Sequence, residues 1–543
     1  MGITLNAGQQ AAYDAILSGA NVFLTGEGGT GKSVVLREAV SELKRRGHEV
    51  VVCAYTGIAA QEVSGSTINS AFQFNFAPKV ADVLRDVKVS KVVMEADTII
   101  IDEVGMVRRD MMDAIVRVIE KANVRRPKKK MPIQLVVVGD FSQLPPVVTD
   151  KDMQPLLDEY GEGAGFYAFE SAGWRRMDFR VCKLTEPMRQ SDSEFVDMLN
   201  LARIGDTRCI DYFNSLIEKN GEAPEDAVRL VGTNRAADSI NQRFLDSLPG
   251  EEAVYKGQIE DKFSKGDMSV PMELRLKVGA RVILTAGDAG EGYVNGVTGT
   301  VTKLHCNSSG KPGIGVRLDD GSCVVVRKHT WHNIRYIVRD TGDEKKLDEV
   351  VNGTYTQYPI KLAWAMTFHK SQGQTLDAVQ ITPDNFAAGQ LYVGLSRATR
   401  PDGLWLTRPM REEDLICADS VKNFYLSECD VAGMPTPRGI SAYKVDRQPD
   451  LFESEQGSLG GSTIDAIKYL SQIDVSQLQS EEAGRGHTGH TDANIAARVA
   501  KLLLRLGNDV YSYDLETRQL YINPDSEFGK ELYEQLLDAS MPM

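Results

Sequence analysis

The sequence predicts an α/β chain: parallel sheets covered by helices, an all-β segment set into the second sheet domain, and a short α+β piece at the C-terminal end. Three patterns predict it. Apolar runs at 21–25, 98–101 and 134–138 are near-continuous, as in strands buried on both faces, and helical stretches separate them. Residues 253–357 break that rhythm with short β-like runs at 280–284, 299–302, 315–318 and 323–326, punctuated by glycine. Residues 429–461 are rich in Pro, Gly and Asp and read as a linker to a last segment, 462–543.

The first strand runs into Gly26-Glu27-Gly28-Gly29-Thr30-Gly31-Lys32-Ser33, followed by a helical stretch to about Arg46. G-x-x-x-x-G-K-S between a strand and a helix is a phosphate cradle: main-chain amides converge on phosphate oxygens at a helix N-terminus. Gly26, Gly28, Gly29, Thr30 and Gly31 would shape the loop, Lys32 would neutralise the β and γ phosphates, and Ser33 would coordinate Mg²⁺. The second strand ends in Asp102-Glu103. Asp102 suits the metal, and Glu103 suits a general base for the attacking water. The third ends in Gly139-Asp140-Phe141-Ser142-Gln143-Leu144-Pro145-Pro146, whose Gln143 can sense the γ-phosphate. These blocks alone reach "ATPase or GTPase" and stop.

Further blocks narrow the class: Leu184-Thr185-Glu186-Pro187-Met188-Arg189-Gln190, Thr367-Phe368-His369-Lys370-Ser371-Gln372-Gly373 and Tyr392-Val393-Gly394-Leu395-Ser396-Arg397. With Leu5-Asn6-Ala7-Gly8-Gln9, Tyr55-Thr56-Gly57-Ile58-Ala59-Ala60, and Phe166-Tyr167-Ala168-Phe169-Glu170-Ser171 before Trp174, the ordered set resembles superfamily-one DNA helicases of the PIF-type and RecD-like branch, over residues 5 to about 428. The resemblance implies ATP and Mg²⁺ as cofactors, with Gln9 reading adenine and Gln372-Gly373 linking nucleotide to the second motor domain. It implies Arg189 and Arg397 as arginine fingers from the domain opposite the phosphate loop. Thr56, Gly57, Thr67, Asn69, Phe72, Pro146, Asn234, Thr367, His369 and Lys370 become candidate nucleic-acid contacts. Asn69 stands where the family usually has His, and Glu27 where it usually has a small residue.

That resemblance implies two RecA-like P-loop motor domains, 1–185 and 186–252 with 358–428, an SH3-like β-barrel inserted at 253–357, and a small α+β C-terminal extension at 462–543. A wedge or pin is expected at about 71–93, where the aromatics of Phe72-Gln73-Phe74-Asn75-Phe76 could stack on a fork. The basic run Arg125-Arg126-Pro127-Lys128-Lys129-Lys130 reads as a solvated face. In the tail the pattern predicts helices at 464–478, 492–506 and 526–538 with a hairpin at 509–523, and His487 and His490 read as linker rather than metal ligands.

The expected activity is an ATP-dependent, 5′-to-3′ DNA helicase acting on single strand and forked duplex in replication, recombination or repair. It is expected to be a monomer, with 462–543 free to bind a protein partner. An RNA-directed helicase and a nucleotide-gated switch without unwinding are the alternatives; intact Lys32, Glu103, Arg189 and Arg397 disfavour the switch. The net charge of −14 does not exclude a strand binder, because phosphate contacts depend on local Lys and Arg. Seven cysteines without a C-x-x-C pair argue against disulfide frameworks and zinc ribbons. No signal-peptide build or bilayer-length apolar run is present, so a cytoplasmic, membrane-free protein is expected.

Overall fold

A computed structural model describes residues 4–74, 88–190, 192–288, 290–308, 311–340, 345–384 and 387–427, with strand residues 464–465, 511–514 and 519–522. The chain divides into two compact units, 1–440 and 441–543.

The first lobe of the larger unit is a six-stranded parallel sheet. Its strands are β1 (Val22–Gly26), β2 (Val50–Ala54), β3 (Ser66–Thr67), β4 (Thr98–Asp102), β5 (Gln134–Val138) and β6 (Arg180–Leu184). Their order is β3-β2-β4-β5-β1-β6. The continuous apolar runs follow from the sheet having a core on each face. Phe23, Val51, Ile99, Ile101, Leu135 and Val137 enter one core, and Val22, Leu24, Val50, Val52, Ile100, Val136 and Val138 the other. The helix Lys32–Arg45 closes the second core with Val35, Leu36, Ala39 and Leu43, one stripe at helical spacing. A parallel sheet brings the C-terminal ends of its strands to one edge, so Gly26, Asp102 and the Gly139-Asp140 turn meet there.

The second lobe has a parallel sheet in the order Ala365–Thr367, Val228–Val231, Val379–Ile381, Leu404–Leu406. Phe195, Leu199 and Leu201 of helix Ser193–Arg203 and Phe213 of helix Ile210–Asn220 pack on it. The β-rich stretch between is a five-stranded antiparallel sheet: Cys323–Val326, Lys311–Leu318, Thr298–Ser308, Arg281–Leu284 and Ile360–Leu362 in order. Ile360–Leu362 lies past residue 357, so this sheet draws a strand from beyond the expected boundary.

A hairpin and a helix reach across to the first lobe. The hairpin of His329–Asp340 and Lys345–Gln357 reaches the first lobe, where the Tyr336 hydroxyl accepts from Val52 N at 3.1 Å and Leu347 N donates to Glu49 at 2.9 Å. Helix Asp419–Ser427, expected with the second lobe, packs instead into the first: Val421, Phe424 and Tyr425 join its core, and Phe424 stacks on Phe169 at 4.3 Å. Apolar spacing identifies a helix face and not its partner, which is why the sequence misassigns it.

Other expectations change as well. Phe72 ends helix Ile68–Phe72, is 1% exposed and stacks on Phe74, so it is core rather than a strand contact. The remainder of the wedge, 75–87, lies outside the described residues. Arg126 is no solvated charge: it is buried and pairs with Asp97 at 2.7 Å, while Lys130 pairs with Glu95 at 3.0 Å. In the smaller unit Tyr511–Asp514 and Gln519–Ile522 pair as an antiparallel hairpin, and Ile464–Asp465, read as the start of a helix, is a strand against Gln519 and Leu520. Helices 492–506 and 526–538, linker 429–461, His487 and His490 lie outside the described residues. Among the described residues no helix is long and apolar enough to cross a membrane.

Candidate active site and strand groove

The phosphate loop follows β1 at the sheet edge. Gly26 has φ +147°, and a Cβ there would stand 2.5 Å from the Leu184 carbonyl of neighbouring β6, so only glycine lets the strand turn into the loop. Lys32 Nζ donates to the carbonyls of Gly26 and Glu27 at 2.8 and 2.9 Å. Gln9, held in a capping box with Asn6, donates to Thr30 O at 3.2 Å and lies against the loop at Gly31.

A cavity of about 470 Å³ opens over this loop. Gly28, Gly29, Gly31, Lys32, Ser33, Asp102, Glu103, Gln143, Arg189, Gly373 and Arg397 line it, so most residues assigned to the nucleotide converge. The Ser33 hydroxyl and the Asp102 carboxylate are hard oxygen donors in one cavity, the set Mg²⁺ takes with phosphate oxygens. Asp102 accepts from Glu103 N at 2.9 Å, and burial raises its carboxyl. Glu103 has a left-handed backbone (φ 52°), and burial together with the Asp102 charge pushes its carboxyl up to about 8. Gln372 Nε2 donates to Glu103 at 2.9 Å and to Gln143 Oε1 at 3.2 Å, joining the base and sensor candidates to the second lobe.

The two arginines differ in origin. Arg397, on the second lobe, is 1% exposed and fixed by Val393 O at 2.7 Å, Ser371 O and Gln374 O at 3.2 Å, and Ser396 Oγ at 2.8 Å. Burial and nearby Arg189 push its guanidinium down to about 9. Arg189 lies at the junction of the lobes: neighbouring Met188 N donates to Gly29 O at 2.9 Å, and the Arg189 side chain donates to Ser396 O at 3.0 Å. A Cβ on Gly28 would stand 3.1 Å from Arg397 Nη2 and 3.7 Å from Arg189 Nη1, so both cations face the cradle.

A second cavity, about 440 Å³, shares Glu103 with the first. Thr56, Glu103, His369, Lys370 and Gln372 line it, joined by Asn295, His329, Trp331 and Lys361. Burial and the charge of Lys370 push Lys361 down to about 8. Thr67, Asn69, Pro146 and Asn234 are not in its lining, and Gly57 packs against Asp267. Thr56, Thr67, Thr233 and Thr367 each accept, through the side-chain oxygen, from the amide three residues on, at 3.2 Å. The same N-cap thus recurs beside the candidate strand contacts, presenting helix-start amides, a favourable setting for phosphate. Thr367 is only 4% exposed and is absent from the lining, to which the same segment contributes His369 and Lys370.

Sequence reasoning missed the linchpin between the lobes. Buried Arg203 pairs with Asp140 at 2.9 Å, and the Tyr425 hydroxyl donates to the same carboxylate at 2.9 Å while accepting from Phe141 N at 2.9 Å. Arg203 also lies over the Tyr425 ring at 4.5 Å. Asp140 belongs to the motif at 139–146, but nothing local in the sequence marks Arg203 or Tyr425. Asn295, His329, Trp331 and Lys361 were missed because the inserted segment carries no phosphate-binding pattern.

Known proteins resemble this arrangement. A sequence model of the PIF1-like helicase family matches residues 4–216. "ATP-dependent DNA helicase Pif1" of Campylobacter jejuni is 30% identical over 419 residues, 72% of this chain and 89% of that one. The human "ATP-dependent DNA helicase PIF1" is 34% identical over 421 residues, 74% of this chain; the chain spans 60% of the human protein's length. The structure of Bacteroides sp Pif1 in complex with ADP-AlF4 superposes with a TM-score of 0.68 at 30% identity, covering 78% of this chain and 96% of that one. Bacteroides Pif1 bound to ssDNA gives a TM-score of 0.53 at 31% identity. With identity of this order over nearly the whole length of the bacterial relatives, the chain belongs to the PIF1-like helicase family.

Proposed function

We infer that the chain is an ATP-dependent DNA helicase that moves along single strand and separates duplex. One observation carries this reading: Glu103 and Gln372 line the strand-side cavity, and the same Glu103 lines the nucleotide cavity, so strand and ATP act on one side chain. Lys32 and the loop amides would hold the phosphates, and Glu103 would take the proton of the attacking water. Arg397 and Arg189 would stabilise charge on the γ-phosphoryl group as it passes from ADP to water. A Mg²⁺ held through Ser33 and Asp102 would supply Lewis-acid charge to those phosphates. Strand in the groove moves Gln372, and with it the hydrogen bond that Glu103 must lose to become a free base.

Finer assignments belong to this proposal. The four antiparallel strands between Arg281 and Val326 support an SH3-like insertion at 253–357, and His329 and Trp331 of the neighbouring hairpin would grip the strand. Residues 462–543 would be an accessory module for a protein partner. Translocation would run 5′-to-3′ in a monomer, on forked as well as single-stranded DNA. The test is unwinding of 5′-tailed, 3′-tailed and blunt duplexes with ATP, beside ATP hydrolysis with DNA or RNA oligonucleotides. Unwinding of the 5′-tailed duplex with DNA-stimulated hydrolysis is expected. Hydrolysis indifferent to any strand would overturn the motor reading, and a stronger response to RNA would replace the DNA assignment.

A further inference from the structure

One buried carboxylate in the cleft has no part in the scheme above. Glu27 lies inside the phosphate loop and is only 9% exposed. Its main-chain oxygen anchors Lys32 and Thr30, both at 2.9 Å. Its side chain meets the other lobe: with the Asn200 amide turned to donate, that nitrogen lies 2.6 and 2.9 Å from the two carboxylate oxygens. Asn200 sits on helix Ser193–Arg203, whose Phe195, Leu199 and Leu201 belong to the second-lobe core. One turn on, Arg203 pairs with Asp140, so one helix face touches the loop and the β5 turn together.

We propose that Glu27 and Asn200 form a latch tying the phosphate loop to the second lobe, with Glu27 as a positioning residue that keeps Arg397 in register with the loop. The proposal rests on the ATPase reading above. Its logic is the double attachment at Glu27: one residue anchors Lys32 through its carbonyl and the second lobe through its carboxylate. Any shift of helix Ser193–Arg203 relative to the loop is therefore felt where the phosphates bind. A small residue at 27 cannot span this gap. Burying a carboxylate is costly, so stability alone does not account for it, whereas fixed geometry does. Arg203, Asp140, Lys183 and Lys32 are the charged groups around Glu27, and burial raises its carboxyl. A neutral amide satisfies it without adding another cation to the cleft.

The test is an amide–carboxylate exchange across the latch, using the full chain with saturating oligonucleotide. Asn200→Ala removes the donor and is expected to lower kcat/KM for ATP about tenfold, the scale of losing a hydrogen bond to a buried charged group. Asn200→Asp sets two carboxylates face to face and should lose more. Glu27→Gln with Asn200→Asp restores one amide and one carboxylate in the same space, and should recover hydrolysis to within about threefold of wild type. Thermal unfolding of each variant reports folding separately. An exchanged pair no better than Asn200→Asp alone, or an Asn200→Ala variant as active as wild type, would overturn the latch. Wild-type protein without strand-stimulated hydrolysis would instead overturn the helicase reading on which it rests.

Discussion

At Gln372 a single amide group serves two acceptors, Glu103 and Gln143, which follow different strands of the first lobe. Gln372→Ala frees the base candidate from its restraint and disconnects it from the groove. Strand stimulation of hydrolysis should fall by about tenfold or more while KM for ATP changes little, a split read from steady-state kinetics with and without oligonucleotide. Glu103→Gln should keep ATP binding and lose about 10²–10⁴-fold in kcat, the range of a general base. Near-wild-type turnover by that variant would remove the assignment. Lys32→Ala should weaken nucleotide binding and stop turnover, measurable with a fluorescent ATP analogue. These residues were legible because a phosphate cradle is built from consecutive main-chain groups, and its glycines appear in order in the sequence. Phe72 was not: whether an aromatic faces a fork or a core depends on helices distant in the chain. Arg203 was not either, since its partner Asp140 lies 63 positions away and no spacing rule connects them.

The elements that cross between lobes carry measurable stability. Phe424 packs on Phe169, Phe23 and Phe141, so Phe424→Ala should cost about 3–5 kcal/mol, as for other buried Phe truncations, by denaturant unfolding. The Asp140–Arg203 pair makes a pH prediction. Burial alone would raise the Asp140 carboxyl, yet Arg203 holds it below the usual carboxylate range. The folded value thus lies under the unfolded one, about 3.9, so the pair's contribution is fully present above that pH and fades as pH falls through the folded value. Asp140→Asn should therefore be destabilised relative to wild type at pH 6 by more than at pH 3.5. An unchanged gap across that interval would count against the pair as an acid-sensitive link. Strand identities were the easiest part of the fold to read from sequence, because burial on both faces leaves uninterrupted apolar runs. Lobe membership was the hardest, since the hairpin and helix Asp419–Ser427 look the same in sequence wherever they dock.

For the whole molecule, the position of helix Asp419–Ser427 sets where the chain can be cut. A chain ending at residue 430 keeps Val421, Phe424 and Tyr425, and should retain strand-stimulated hydrolysis and directional unwinding. One ending at residue 415 removes them from the first-lobe core and should fail to fold cooperatively, seen as loss of a sharp thermal transition. If the chain ending at residue 430 also unfolds, part of 431–543 is needed by the motor and is not a mere accessory.

That same helix has a consequence during synthesis. The aromatic cluster around Phe23 is finished by Phe424, so the first lobe to leave the ribosome cannot complete its core until nearly the whole larger unit has been made. At ordinary elongation rates of roughly 5–20 residues per second, the interval between finishing β6 and emitting Phe424 is on the order of 10–50 seconds. Through that interval the nascent lobe would leave uncovered the sides of Phe141, Phe169 and Trp174 on which Phe424 packs in the folded chain, a surface suited to a chaperone that binds aromatic side chains. The ATPase therefore matures only after residue 425 has emerged, and a ribosome stalled earlier would display an incomplete lobe with its aromatic seam open.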